Sequence, residues 1–400
     1  MQYLTLSKLK SESQRLKEPK WLKNKRLYAW EQFKKRDYSK DKHHFDPEFP
    51  LQKMHLAEIA RSQLSPLAKN LEQKGVIWKN FPQTIREHPE LLKEYFFTKC
   101  VQIQEEKLIA LHAAFVNQGL MLFVPKNLSL TIPFDTKFFG GAKNKAVFRH
   151  FLLIIGENSK VDFFHESQSS QQREKCYTSE VMEVYLKPKA SLNLVNIQNI
   201  GKTEHYFIKA RALLEKESKL NWTVLTKGAP LKKSLFDTVL LKEKAESKNQ
   251  AILLGQKEEK IDFSFQQDNR SRNTKGSLLI KGIVQDQAHV MIRGLVKIRP
   301  KAQNSNAYFT GRGLILNEKA RFNIIPSLEI EANDVQAGHA ASVSQINEEE
   351  LFYLKSRGLN EKQASQMISE GFFQDVINCN PNRRIQKKIT NSLNKSLTYV

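Results

Sequence analysis

The sequence has 400 residues, 40% of them hydrophobic and 26% charged, which is enough for two or three globular domains with a sizeable core. No apolar run of signal-peptide length opens it, and no later stretch approaches the ~18 apolar residues of a membrane span. The three cysteines, Cys100, Cys176 and Cys379, are far apart and form no CxxC pair. These features argue against a disulfide scaffold and favour a reducing, cytosolic compartment.

The formal net charge of +22 has two interpretations. A strongly basic chain is typical of proteins that bind nucleic acid or an acidic partner. Here the lysines are spread through the whole sequence, with a local excess only in residues 1–45 and 381–400. The sequence contains no arginine-rich recognition helix, RNP-like motif or zinc finger. We therefore favour a solvated, lysine-rich surface over a nucleic-acid-binding protein.

Residues 1–115 are predicted to be mainly helical. The segment PKWLKNKRLYAWEQFKKR starts a helix near Pro19 and carries one apolar stripe, formed by Trp21, Leu22, Leu27, Trp30 and Phe33. Two further segments, HLAEIARSQLSPLAKNLEQKG and TIREHPELLKEYFF, are predicted to form short helices, and Gly75 ends the first of them.

Residues 116–345 are predicted to form many short strands. The segment GLMLFVPKNLSLTIPF already shows apolar runs and alternation, with Pro and Gly between them. A weak repeat places a small residue at the start of several strands, at Ser159, Ala190, Ser218, Ala288 and Ala320. A step of about thirty residues indicates a stacked β-solenoid, with small residues at its tight corners. The alternative is an ordinary antiparallel sandwich with regular turns.

Residues 346–400 are predicted to be helical again. Asn347 can cap one helix and Gly358 can end it, while Asn360 and Gln363 have the spacing of a capping box for the next. Ala364, Met367 and Ile368 are predicted to be the buried face of that second helix, and the basic tail after Pro381 to be a weak helix or frayed. The sequence thus predicts three domains, with bounds 1–115, 116–345 and 346–400.

Motifs for nucleotide hydrolysis or hydrolytic catalysis are absent from the sequence. We find no GxxxxGK[ST] loop, and no HExxH, GxSxG or GxGxxG in a suitable context. Carboxylates are plentiful but show no local pairing typical of a glycosidase. Because many β-solenoids act on polysaccharides, a carbohydrate-active enzyme remains an alternative that only the arrangement of the side chains can decide.

The ten histidines invite a metal hypothesis, but most have simpler interpretations. His165, His205 and His289 are predicted to be hydrogen-bonded histidines within strands. His43 and His44 lie in a charged loop, where a transient metal contact is the alternative to a solvated pair.

Two of the cysteines, Cys100 and Cys379, are predicted to be small buried hydrophobes. Cys176 is either an unremarkable thiol or a thiolate whose pKa is lowered by Lys175 and Arg173.

His339 has different surroundings from the other histidines. Gly338, Ala340, Ala341 and Ser342 leave space around its ring, so that another backbone or subunit could approach closely. An imidazole there could ligate iron, although a single histidine cannot build a metal site and a structural role is the alternative.

The segment from Pro326 to Phe372, PSLEIEANDVQAGHAASVSQINEEELFYLKSRGLNEKQASQMISEGF, closely resembles the C-terminal signature of the SufB/SufD family of iron–sulfur cluster assembly proteins. That signature reads roughly P-x-L-E-I-x-A-x-D-V-x-C-x-H-G-A-T-V, followed by an acidic stretch and F-Y-L-x-S-R-G. Weaker similarity includes LIALHAAFVNQGLMLFVPKNLSL, ASLNLVNIQN and PKWLKNKRLYAWEQF, so the resemblance covers most of the chain.

The resemblance implies a right-handed parallel β-helix between helical ends, acting as a scaffold and not as an enzyme. The length and the lack of the cysteine-rich elements of SufB make the chain more similar to the SufD branch. The family implies pairing with SufB through the β-helix and with the ATPase SufC through residues 346–400. The residues matching the stretch next to the SufC contact are Leu351, Phe352, Tyr353, Leu354, Arg357 and Gly358. The alternative is that Phe352 and Leu354 only fill the core of the helical domain.

His339 matches the family histidine near the cluster-assembly site at the SufB–SufD interface, and is the candidate ligand from this chain. Ala337 stands where the family has a cysteine and Ala340 where it has a glycine, so no thiolate can come from this position. Upstream, where the family often has a histidine, this sequence has Asp268. The resemblance implies no cofactor held stably by this chain alone and a cluster present transiently on the complex. A reduced flavin on the complex, and a homodimer of the isolated chain, are further expectations.

Overall fold

The structure is a computed structural model that describes residues 3–35, 54–57, 62–130, 133–169, 175–380 and 382–397. Its described helices are α1 (Leu6–Arg15), α2 (Lys20–Lys35), α3 (Lys69–Gln73), α4 (Phe81–Glu87), α5 (Pro89–Tyr95), α6 (Lys107–Phe115), α7 (Glu348–Ser356), α8 (Glu361–Asn378) and α9 (Arg383–Leu397). None of the helices within these ranges combines the length and the apolar character needed to cross a membrane.

The chain is mainly β, as predicted, and nearly all strands lie between the two groups of helices. The first strands are β1 (His55–Leu56), β2 (Ser62–Leu64), β3 (Ile77–Asn80), β4 (Gln118–Val124), β5 (Phe134–Phe139), β6 (Lys145–Ile155), β7 (Lys160–Gln168), β8 (Cys176–Leu186), β9 (Ser191–Ile200) and β10 (Glu204–Leu214). The others are β11 (Lys219–Gly228), β12 (Leu231–Leu240), β13 (Glu246–Gly255), β14 (Lys260–Asn269), β15 (Lys275–Val284), β16 (His289–Ile298), β17 (Ser305–Ile315), β18 (Arg321–Ile330) and β19 (Val335–Gln345).

From β4 onwards, successive strands alternate between two sheets, which confirms the predicted β-solenoid of about eight coils. Sheet A has the order β18-β16-β14-β12-β10-β8-β6-β4-β3, with β1 also paired to β6, and sheet B has the order β19-β17-β15-β13-β11-β9-β7-β5-β2. Each strand from β6 onwards pairs in parallel with the strand one coil earlier. The alternative prediction of an antiparallel sandwich is therefore wrong.

The small residues of the repeat do lie at corners, but they belong to two different sets. Ser159, Ala190 and Ser218 lie at the corners that lead from sheet A to sheet B, whereas Ala288 and Ala320 lead from sheet B back to sheet A. All five are at most 5% exposed, because coils spaced ~4.8 Å apart leave no room for larger side chains. The irregular step from Ser218 to Ala288 is therefore a change from one set of corners to the other.

Helices cover the outer faces of both sheets. An apolar cluster joins α1, α2 and α6 to the outer face of sheet A, through contacts that include Leu22, Phe115 and Phe148. A second cluster joins α8 and α9 to the outer face of sheet B, through Phe373, Ile389 and their neighbours. The division into three domains stays a prediction, since the helices share these cores with the solenoid.

The helical prediction fails for part of the N-terminal region. His55–Leu56, Ser62–Leu64 and Ile77–Asn80 are short strands that add to the solenoid sheets. Among the described residues of the segment 55–75, only α3 is helical, and Gly75 follows its end with φ +82°. Pairing with strands distant in sequence outweighs the local helical pattern here.

The caps predicted for the C-terminal helices are confirmed. The side chain of Asn347 accepts hydrogen bonds from the first turn of α7, and Asn360 with Gln363 forms the capping box of α8. Gly358 ends α7 with φ +93°, in a Schellman arrangement closed by a hydrogen bond from the Leu359 N–H to the Leu354 carbonyl, at 3.3 Å.

The buried face of α8 differs in part from the prediction. Ala364 is buried and Ile368 is half-buried, but Met367 is 52% exposed because the buried stripe continues through Ser369 and Phe373. The basic tail forms α9, a helix of 15 residues that packs on sheet B.

Candidate functional site

The solenoid finishes at an open end, formed by strands β18 and β19. Among the strands that the structure describes, β18 pairs only with β16 and β19 only with β17, so each leaves one row of backbone groups unpaired. Ile325, Ile330 and Val343 on these strands are 47%, 44% and 43% exposed. An unpaired strand edge beside exposed apolar side chains is a template for pairing with another chain.

His339 lies on β19, within this open end. It is in register with Phe309 of β17, whose side chain is buried in the solenoid core. Alternation along the strand puts His339 on the same face as Val335 and Ala337, which pack against that core. The imidazole therefore faces the interior side of the coil, yet it is exposed because no described coil covers it.

Two phenyl rings form an apolar floor below the open end. A Cβ atom at Gly294 would lie 2.4 Å from the Phe309 ring, and one at Gly313 would lie 2.5 Å from the Phe322 ring. Glycine at both positions leaves the space that the rings fill. Within the described ranges, no group of three or more His, Cys, Asp or Glu side chains could hold a metal ion. Further ligands for a metal at His339 would have to come from across the open end.

Asp268, which stands where the family often has a histidine, is committed to a different role. It lies near the end of β14 and is 3% exposed. Its carboxylate accepts hydrogen bonds from Nε of Arg270 and Nε of Arg299, at 2.8 and 2.9 Å. This ion pairing ties two successive corners together and leaves the carboxylate unavailable to a metal.

Helix α7 projects large apolar side chains into solvent. None of its residues is buried, and Phe352 and Tyr353 are 75% and 55% exposed. The guanidinium of Arg357 lies 5.1 Å from the centre of the Tyr353 ring, and Leu354 is half-buried. Phe352 therefore does not fill a core, whereas Leu354 partly does. Exposed aromatic side chains next to an arginine have the composition of a protein-binding hot spot.

A charged network inside the first coils was not found from the sequence. Glu180 on β8 pairs with Arg149 at 3.0 Å and contacts His165, while Tyr206 donates to it at 2.6 Å. All four residues are at most 1% exposed. Burial alone would raise the pKa of Glu180, but the hydrogen bond and charge of His165 and the charge of Arg149 hold that pKa at about 2. Because these side chains are sealed from solvent, they stabilise the stack of coils.

A second buried carboxylate fastens the N-terminal region to the outer face of sheet A. Glu183 accepts hydrogen bonds from the backbone N–H groups of Phe97 and Val101, at 2.9 and 3.0 Å, and contacts Nε2 of His150 at 3.0 Å. The sequence gives no signal for either buried network, because their members are separated by many residues. His165 is nevertheless a hydrogen-bonded strand histidine, as predicted, since its Nδ1 contacts Thr136 Oγ1 of the neighbouring strand β5 at 2.8 Å.

The cysteines fit the predictions in part. Cys176 is buried, and burial raises the pKa of its thiol to about 12, so the thiolate alternative is wrong. Cys100 is buried as predicted, whereas Cys379 ends α8 and is exposed, which corrects the prediction for that residue. Arg173, His43 and His44 lie outside the described residues.

Comparison with known proteins finds related sequences over almost the whole chain. The family described as "SUF system FeS cluster assembly, SufBD core domain" matches residues 138–372, and the "SufBD protein N-terminal region" matches residues 58–135. The "Iron-sulfur cluster assembly protein SufD" of Bacillus subtilis is 29% identical, with 97% of each chain covered. A SufBD family protein of Staphylococcus saprophyticus is also 29% identical, over 77% of this chain and 66% of that relative.

Proposed function

The chain belongs to the SufB/SufD family of iron–sulfur cluster assembly proteins, and we propose that it is a SufD-like scaffold subunit in the cytoplasm that pairs with SufB and SufC. The open end of the solenoid is the observation that carries the proposal. A partner solenoid that also ends in unpaired parallel strands would complete both sheets and cover the apolar floor. SufB is the partner that this geometry and the family favour.

The role of α7 is docking to the ATPase SufC. Its aromatic side chains are exposed, although Phe352 and Tyr353 would be expected in a core if the helix only stabilised the fold. A helix that presents such anchors suits a groove on a partner. ATP hydrolysis then takes place on SufC, and the present chain transmits the resulting movement without catalysing a reaction.

His339 contributes one ligand to the cluster site that forms between the two solenoids. It lies at the open end, on the interior side of the last coil that a stacked partner would cover, and imidazole nitrogen is a good ligand for iron. Because Ala337 cannot ligate a metal, cysteine ligands come from SufB. The cluster is the cargo of the complex and is held only transiently. A reduced flavin is an expectation for the complex, and this chain alone is not expected to hold one stably.

Co-expression with the SufB and SufC proteins of the same genome tests the proposal. A tag on this chain is expected to recover both partners in a complex of fixed stoichiometry. Recovery of this chain alone, or only as a homodimer when both partners are present in excess, would contradict it. The carbohydrate-enzyme alternative would gain support from polysaccharide cleavage by the purified chain, and the nucleic-acid alternative from salt-dependent RNA or DNA binding.

A further inference from the structure

One corner of the solenoid is shorter than its neighbours. The corner between β11 and β12 has only Ala229 and Pro230, whereas the corners before and after it span residues 201–203 and 256–259. Because successive coils are ~4.8 Å apart, the short corner leaves a notch between two longer ones. The notch is a cavity of about 540 Å³, a volume within the range of small-molecule sites.

Two lysines face each other across this notch. Lys202 comes from the corner before it and Lys257 from the corner after it, and both line the cavity. The proximity of Lys202 lowers the pKa of Lys257. The negative charges of Glu259 and Asp286, which also line the cavity, act on Lys257 in the opposite direction. Two ammonium groups held together repel each other unless an anion lies between them.

The walls of the notch combine apolar surface with a few polar groups. Ile200, Gly228 and Leu254 supply apolar surface. Behind the wall, the buried amine of Lys232 donates to the Lys227 carbonyl at 2.9 Å, and burial lowers its pKa to about 7, so it adds at most part of a positive charge near neutral pH. A site of this kind holds the charged group of a ligand on the lysines and leaves the apolar surface for the rest of it.

Two carboxylates also line the notch, but both are engaged with the backbone. Asp286 accepts a hydrogen bond from the Lys257 N–H at 2.7 Å, and Glu259 accepts one from the Gln256 N–H at 3.0 Å. Burial raises the pKa of Glu259 to about 7, so this carboxyl carries less than a full negative charge near neutral pH. The lysines therefore dominate the charge at the mouth of the cavity.

We propose that this notch binds an oxyanion of the phosphate class between Lys202 and Lys257. The anion is either free phosphate or the phosphate group of a small phosphorylated compound, whose remaining atoms would lie on Ile200 and Leu254. Lysine is a common phosphate ligand because its ammonium group is a compact point charge with three donors. The site is on the flank of the solenoid, remote in sequence from His339 and from α7, and it does not depend on the proposed function.

Calorimetric titration of the full-length protein with inorganic phosphate, and separately with AMP, tests this site. The double variant Lys202→Gln, Lys257→Asn is expected to lower the affinity by at least about tenfold, because it removes two charge-assisted contacts. Asn is chosen at Lys257 because φ is +57° there, a conformation that Asn tolerates. The matched control is Lys126→Gln, Lys189→Asn, since Lys189 also has a positive φ, +59°, but lies on the opposite edge of the solenoid.

A third variant tests whether removing an acidic group from the notch raises its affinity for an anion. Glu259→Gln keeps a hydrogen-bond acceptor for the Gln256 N–H but removes the acidic group, and it is expected to tighten binding several-fold. Tighter binding of AMP than of phosphate would identify a phosphorylated compound, and binding of phosphate alone would identify the free anion. The proposal is overturned if the wild-type protein shows no saturable binding, or if a correctly folded double variant binds as tightly as the matched control.

Discussion

Arg211 on β10 holds both carboxylate oxygens of Glu105, at 2.6 and 2.8 Å, and thereby fastens the start of α6 to the outer face of sheet A. The same guanidinium donates to Asp237 at 2.7 Å and to the Cys100 carbonyl at 2.7 Å. Arg211→Met should lower the free energy of unfolding by about 3 kcal/mol, since it leaves partly buried carboxylates without their partner. Urea denaturation followed by circular dichroism measures the effect.

The control for that substitution is Arg272→Met. Arg272 also pairs with a carboxylate, Glu243, but its side chain is 67% exposed. Exposed ion pairs contribute little, so the expected loss is below about 1 kcal/mol. Equal losses in both variants would show that Arg211 does not connect the N-terminal helices to the solenoid in the way described.

The lowered pKa of Glu180 predicts how the stability of the fold depends on pH in acid. The pKa of Glu180 is held at about 2 in the folded protein, below its ordinary value of 4.5, so ionised Glu180 stabilises the fold. This contribution is fully present above the ordinary pKa and is lost as the pH falls toward about 2. Glu180→Gln should cost about 3 kcal/mol at neutral pH and flatten the decline in acid, as measured by thermal melts over a pH series. In the control, Glu157→Gln at an exposed corner, the acid decline should match that of the wild type.

Substitutions at two isoleucines of β18 test whether SufB binds by stacking on the open end. Ile330 is in register with the core residue Ile298 and so faces the interior side, whereas Ile325 faces outward. They are 44% and 47% exposed. Ile330→Glu should abolish co-purification of SufB, because a stacked partner would bury the new charge, and Ile325→Glu should leave it intact. Equal recovery of SufB with both variants would exclude stacking at this surface.

Phe352 and Tyr353 test the docking surface on α7. The double variant Phe352→Ala, Tyr353→Ala should weaken SufC binding by about 2 kcal/mol or more in calorimetry and leave the melting temperature unchanged, because both side chains are exposed. Met367→Ala on α8 is the control, since Met367 is also exposed, at 52%. A lower melting temperature with unchanged SufC affinity would show that these residues stabilise the fold and do not bind SufC.

His339→Ala tests the proposed cluster ligand. The variant should form the complex and melt like the wild type, yet cluster build-up, followed by absorbance of the reconstituted complex, should fall by at least about tenfold. His339→Cys should restore part of it, since a thiolate also binds iron. His289→Ala is the control, because His289 is also a strand histidine and its ring contacts Asn323, at 2.8 Å. Unchanged cluster yield in His339→Ala would remove this residue from the site.

Local features could be predicted from the sequence because they depend on neighbouring residues. Asn347, Gly358 and Asn360 act at the predicted helix ends, since caps are decided within one turn of helix. The short strands at His55–Leu56 and Ser62–Leu64 could not be predicted, because they exist only through pairing with strands β6 and β5.

The buried charged networks could not be predicted from the sequence for a related reason. Arg149 and Glu180 are 31 residues apart and meet only because consecutive coils stack in register. The open end could not be predicted either, since the sequence of β19 does not identify it as the last described strand of the solenoid. His339 could be singled out by its small neighbours and by the family signature, but its exposed position over Phe309 required the structure.

The two ends of the solenoid are not alike. At its first coil, β4 and β5 are flanked by the short antiparallel strands β3 and β2, while the last coil has bare parallel edges among the described residues. A stack with one bare end has a direction in which it can be extended, and a second solenoid seated there with its own bare end leaves none. Assembly through this surface is therefore expected to stop at two subunits, as a closed pair and not as a fibre.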